Sequence, residues 1–262
     1  MQATLEQFHR QRSFGRVKLE FGPRGLIRHR EEGSAKARVL PGGKQAVLLN
    51  IGGGLAGGDD FAFDVKVNTG TSLTVTSQTA ERVYRSLGAS AEVNTTLSVA
   101  ENATLYWLPQ ETIFYDGAKL QRTISAELAA NAKLVMLEPA IFGRSISNEK
   151  ITSIDFHDRW RIHVGGKLLF ADDTQLGPTL PHAAAAMGNA TAMATLLCVG
   201  PDFESLVPKL NSIFGDHGAA SFWNGKLVAR LLAKDGYTLR KLLIQALGSF
   251  VEAENLPLNW TV

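Results

Sequence analysis

Between residues 17 and 170 the chain is a succession of short segments rich in β-branched and aromatic residues, each cut off by Gly, Asn or Asp. Val17–Phe21, Ala46–Asn50, Ala62–Asn68, Ser72–Gln78, Glu92–Val99, Thr104–Leu108, Lys133–Glu138 and Trp160–Val164 carry the pattern. Alternating side chains point to opposite faces of a sheet and the turn residues supply the reversals, so this stretch predicts an all-β unit.

Three of these segments share a frame. VNTGTSLTV from Val67, VAENATLYW from Val99 and LAANAKLVM from Leu128 each place an apolar residue, a five-residue turn and an apolar–x–apolar strand at the same offsets. The stretches look like hairpins, and their starts lie 32 and 29 residues apart, within the range of stacked supersecondary units. The expected fold is therefore mainly β: a layered, β-helix-like stack of short strands.

After Gly177-Pro178 the texture changes. HAAAAMGNATAMATLLCVG, DFESLVPKLNSIF and YTLRKLLIQALGSFVEAE are richer in helix formers. In the last of them Leu239, Leu242, Leu243, Ala246, Leu247, Phe250 and Val251 share one helical face, with Thr238 as candidate N-cap. Lys226–Leu232 alternates like a strand, so residues 179–262 predict a smaller helix-containing (α+β) portion packed as one unit on a β-rich core of residues 1–178.

Composition narrows the function. At 45% hydrophobic and 20% charged residues the chain has globular rather than disordered composition. A formal charge of +2 with no Lys/Arg run argues against nucleic acid or an anionic membrane as partner. Cys198 is the single cysteine, which excludes an internal disulfide and a Cys-rich metal cluster and predicts a small buried hydrophobe. No segment has the apolar length of a membrane span and the N-terminus has no continuous apolar stretch, so the expectation is a soluble, cytoplasmic protein.

The motifs of enzyme chemistry are weak or missing. Gly52-Gly53-Gly54-Leu55-Ala56-Gly57 formally fits G-x-G-x-x-G, but that fingerprint needs a helix after the third Gly. Here Asp59-Asp60 and an alternating strand pattern follow. No Lys-Ser/Thr follows the glycines as a phosphate-binding loop demands, and no G-x-S-x-G is present. GGGLAGGDD reads instead as backbone needing positive φ or close approach, ending in carboxylates at a turn or a polar cavity. His157 and His163 would share a strand face near Asp155 and Asp158, a spacing that does not build a tetrahedral metal site.

Four stretches taken together resemble the urease accessory protein UreD (UreH) family: NIGGGLAGGD at 50–59, TSQTAERVYRS at 76–86, WLPQETIFYDGAKLQR at 107–122 and FGRSISNE at 142–149. The resemblance implies a non-enzymatic scaffold for nickel incorporation into apo-urease, acting with UreF and the GTPase UreG, with UreE as the usual nickel donor. It implies no permanent cofactor and only transient nickel, which carboxylate or hydroxyl ligands suit because the ion must leave again. Asp59, Asp60, Glu111 and Glu149, with Thr76 and Ser77 as lining hydroxyls, lie in the matching motifs and are the candidate passage residues. Each could instead cap a turn or pair with Arg82, Arg85 or Arg144. The alternative is a β-solenoid interaction module with no direct metal role.

Overall fold

The computed structural model describes residues 12–144, 151–177, 187–251 and 256–261. The repeat in the sequence is one turn of a coil. The chain runs from β4 (Gln45–Asn50) to β5 (Asp60–Val67), then through β6 (Ser72–Ser77), β7 (Glu81–Val83) and β8 (Ala91–Val99). The next turn passes β9 (Thr104–Trp107), β10 (Thr112–Phe114) and β11 (Ala118–Leu128), and the last reaches β12 (Lys133–Phe142) and β13 (Ile154–Val164).

Strands β4, β6, β9 and β12 stack in parallel as one face; β5, β8, β11 and β13 stack in parallel as the other. The three similar stretches are thus not hairpins. Each carries the chain from one sheet to the other and pairs in parallel with its equivalent. Val67 lies opposite Val99 and Val99 opposite Leu128. Leu73, Leu105 and Leu134 form a second row. Those three leucines are fully buried between the sheets, and burying each side chain contributes about 1.5–3 kcal/mol.

β1 (Phe14–Gly22) stacks in parallel on β5. Antiparallel strands finish the edges: β2 (Gly25–Gly33) on β1 and β3 (Ala35–Val39) on β4 at the first turn, and β14 (Lys167–Leu176) on β13 at the last. The seven-stranded sheet has the order β14-β13-β11-β8-β5-β1-β2. β2 is rich in charge, from Arg28 to Glu32, which discourages pairing with another chain at that edge.

In the first stretch after Gly177, the described part is not the helix that its alanines and leucines suggest. Among its described residues, Ala192–Val199 is a strand, β15, antiparallel to β12. It is buried along most of its length, on both faces, and such a run cannot be told from a helix by periodicity. Tertiary burial overrides the weak helix propensity. β16 (Gly218–Trp223) and β17 (Lys226–Ala233) extend the same ten-stranded sheet, and the expected strand at Lys226–Leu232 is part of β17.

Two helices, α1 (Val207–Phe214) and α2 (Gly236–Leu247), cover the outer face of that sheet. α2 buries Leu239, Leu243, Ala246 and Leu247 against it. The helix ends at Leu247, so Phe250 and Val251 lie beyond it. Its N-cap is Asp235, which accepts the Thr238 N–H at 2.7 Å, rather than Thr238 itself. A carboxylate one turn earlier satisfies the free N–H better than the hydroxyl inside the first turn. Cys198 is fully buried in this second core, and burial pushes its thiol pKa up. No helix among the described residues is long and apolar enough to cross a membrane.

Candidate functional site

Three of the stretches that carry the family resemblance, and Phe142 of the fourth, come together at one corner of the coil. Leu55 lies opposite Val83, Val83 opposite Phe114, and Phe114 opposite Phe142. This short third ladder joins the two sheets on the side away from the short turns that follow β5, β8 and β11. The glycine-rich loop sits on top of it. Gly54 has φ +140, and a Cβ there would come within 2.4 Å of the Tyr84 ring. Tyr84 in turn donates its hydroxyl to Gly53 O at 2.9 Å. The glycines therefore serve close approach, and strand β5 rather than a helix follows them.

Beneath the loop a cavity of about 140 Å³ opens between the sheets. Its outer rim includes the exposed Gly53, Gln78, Thr79 and Arg82; its inner wall includes the buried Trp107, Arg122 and Glu138. Glu81 stands near the rim, bonded to Asn50 Nδ2 at 3.2 Å. Burial, with a smaller push from the Asp59 charge, raises the Glu81 pKa above its ordinary value.

The inner wall is charged. Arg122 Nε donates to Asp158 Oδ1 at 2.9 Å and its Nη2 to Asp158 Oδ2 at 2.6 Å. Its Nη1 donates to Glu138, which also accepts the Trp107 indole N–H at 2.8 Å. Arg122 and Asp158 belong to one sheet, Glu138 and Trp107 to the other, so the cluster bolts the sheets together. Burial opposes the guanidinium charge, but the two carboxylates outweigh it and hold the pKa up. Burial raises the Glu138 pKa, since one arginine cannot offset two desolvated carboxylates.

The candidate passage residues separate. Asp59 is buried and caps its loop, accepting from Ser13 N and Ala56 N at 2.8 Å each. Asp60 pairs with Arg16 on the surface. Glu111 pairs with Arg240 of α2 at 2.9 Å. The turn-capping expected for Asp59 is present, while the arginines facing Asp60 and Glu111 are Arg16 and Arg240, not Arg82, Arg85 or Arg144. Ser77 lines the cavity, whereas Thr76, one position away on the strand, lies on the opposite face. Glu149 is outside the described residues.

His157 and His163 do not form a site with Asp155 and Asp158. His157 bonds Asp173 at 2.9 Å and His163 faces Glu127 at 2.9 Å, both on the outer face of β13, while Asp158 points inward to Arg122. Among the described residues no three His, Cys, Asp or Glu side chains converge as metal ligands. The sequence reading missed Arg122 and Glu138, and grouped Asp158 with the histidines rather than with Arg122. The signal was present: Arg122 continues the inward series Ala118, Leu120, Ile124, and Asp158 the series Ile154, Phe156, Trp160.

Fold and site together define a solenoid-like, two-sheet β protein with an interior cavity closed at its inner end by a buried ion cluster. The chain belongs to the UreD urease accessory protein family, whose model matches residues 13–257. It is 43% identical over 247 residues to a urease accessory protein UreD of Mesorhizobium japonicum, covering 90% of this chain and 88% of that one. A UreD of Agrobacterium fabrum is 39% identical over 238 residues, 88% and 84% of the two chains. A UreD 1 of Brucella abortus is 36% identical over 256 residues, 94% and 91% of the two.

Proposed function

We propose that this protein is a non-catalytic cytoplasmic scaffold for nickel incorporation into apo-urease, acting in a complex with UreF and the GTPase UreG, with UreE as upstream nickel donor. The observation that carries the reading is the cavity: a polar rim with Glu81 and Ser77, and an inner wall ending on the Glu138 carboxylate. Oxygen donors without Cys or clustered His suit a borderline ion that must be released. Nickel is cargo here, held transiently. Asp59, Asp60 and Glu111 would touch it only by exchanging their present partners, and Glu149 is proposed with them from its motif alone.

That engagement of the carboxylates favours a second reading, an interaction module in which they act through stability. The two separate in a urease operon expressed with and without this gene. Loss of the gene should leave abundant, nickel-poor, inactive urease. A Glu81→Gln variant that still assembles with its partners should lower the nickel content of urease. Full loading by that variant would favour the interaction module, and full loading without the gene would remove both readings.

A further inference from the structure

Among the described residues the two sheets end in four edge strands, β14 and β2 on one, β16 and β3 on the other. A terminal strand offers unpaired N–H and C=O groups to any chain that can lie beside it, and charged side chains are a common protection. Three of these edges carry them. β2 has Arg28, Arg30, Glu31 and Glu32, β3 has Lys36 and Arg38, and β14 has Lys167, Asp172 and Asp173. The strand β16 reads GAASFW, with no charge and no proline.

What stands beside β16 is a side chain. Ala220 N donates to Asn211 Oδ1 at 2.6 Å, and Asn211 Nδ2 donates to Ala220 O at 3.1 Å. Asn211 belongs to α1, which packs against β16. In an antiparallel pair successive residues turn their backbone groups to opposite sides of the strand. Ala220 turns its groups to Asn211, so Gly218 and Phe222, two positions away, face the same open edge, while Ala219 and Ser221 pair with Arg230 and Val228 of β17. A side-chain amide carries an acceptor and a donor together, so Asn211 presents to Ala220 what a residue of a further strand would present. Asn211, Ala219 and Ser221 are all exposed. At the end of the same edge, one residue past the pairing of Gly218 with Leu231, His217 Nδ1 lies 3.3 Å from Leu232 O.

We propose that Asn211 is an edge guard: its amide holds the place of a further strand on β16 and so keeps two copies of this chain from joining their ten-stranded sheets. The occupant it excludes is a second β16. Two such strands, antiparallel about a two-fold axis at Ala220, set Ala220 against Ala220 and Gly218 against Phe222, so the outward groups of one copy meet the same groups of the other. The two central bonds of that pairing are the two that the Asn211 amide has taken. Gly, Ala and Ser fill most of the strand, and no like charge opposes the approach. The guard acts at the last-turn end of the coil and is independent of what the cavity carries.

The test is the mass of the purified full chain, read by light scattering across a concentration series. Asn211→Ala opens the edge, and its mass should rise toward about twice the wild-type value as concentration increases. Asn211→Ala with Ala220→Pro should stay at the wild-type mass, because proline has no N–H to offer and is tolerated on an edge strand where that N–H points outward. Asn211→Lys loses both bonds but sets a charge on the edge, and it should also stay at the wild-type mass. The tie between α1 and β16 is lost equally in Asn211→Ala and Asn211→Lys, so a purely structural role for the amide predicts that the two behave alike. Folded Asn211→Ala at the wild-type mass throughout, equal association in Asn211→Lys, or association that survives Ala220→Pro overturns the guard. Asn211→Ser, whose hydroxyl is too short to span both groups, takes the place of Asn211→Ala should that variant not fold.

Discussion

The two corners of the coil obey different rules. At one, residues 68–71, 100–103 and 129–132 turn the chain in four residues each. Gly70 and Asn102 take positive φ at equivalent places, and Asn102 and Asn131 bond amide to amide between turns at 2.9 Å. At the other, residues 51–59, 78–90, 108–117 and 143–153 connect the sheets with unequal lengths. The first corner sets the pitch of the coil with little beyond turn chemistry. The second departs from the repeat, and its first three connections supply the cavity, its rim or the loop above it. A repeat architecture needs only one regular corner, which leaves the other open to specialisation.

The largest test of that division lies in the charged wall beneath the irregular corner. Arg122→Leu leaves Glu138 and Asp158 buried without their cation and should cost about 3–5 kcal/mol in urea unfolding. Replacing Arg122, Glu138 and Asp158 together by leucine should recover most of that loss, because the cluster's desolvation offsets its attraction. If the triple variant is as unstable as the single one, the ion cluster is a folding requirement of the coil and the division between pitch and function fails.

The sequence made the regular corner legible and the irregular one only partly so. Leu73, Leu105 and Leu134 announce themselves by spacing, because each turn repeats one period. The glycine loop announces close approach, since only Gly can sit beneath the Tyr84 ring. Asp59 and Glu111 drew attention as carboxylates in motifs, but their partners, Ser13 N and Arg240, lie 46 and 129 residues away, and no local pattern encodes such distances. Arg122 and Asp158 were hidden differently. Their inward positions follow from alternation, but a charge at an inward position is read as a break in the strand until its partner is known. β15 was misread because a strand buried on both faces has no alternation to show.

A smaller effect compares the corners directly. Gly70→Ala places a side chain at φ +68 with nothing within 4 Å, whereas Gly54→Ala forces a Cβ against Tyr84 and Arg82 O. The first should cost about 1–2 kcal/mol, the left-handed penalty alone. The second should cost more and should also shift Tyr84 fluorescence or its NMR signals. Equal costs in thermal melts would mean that the loop relaxes freely and that the tight seat of Tyr84 does not constrain the rim.

The smallest effect is one of pH, and here the irregular corner contains two acids of opposite sign. Asp116 is held below its ordinary pKa by the Thr152 hydroxyl, and by the Thr152 and Ser153 N–H groups. Its contribution is present at neutral pH and is lost as pH falls through the folded-state value. Glu81 is raised above the usual 4.5, mainly by burial. The folded state therefore binds the Glu81 proton more tightly than the unfolded state does, and stability from this group falls as pH rises from 4.5 to the raised value. Glu81→Gln removes that fall, so its stability relative to wild type should improve between pH 4.5 and neutrality, read as the shift in urea midpoint at each pH. Asp116→Asn should worsen relative to wild type across the same interval or stay constant. If Glu81→Gln instead tracks Asp116→Asn, the rim carboxylate is solvated and charged at rest, and the cavity carries its negative charge to the mouth without needing to release a proton.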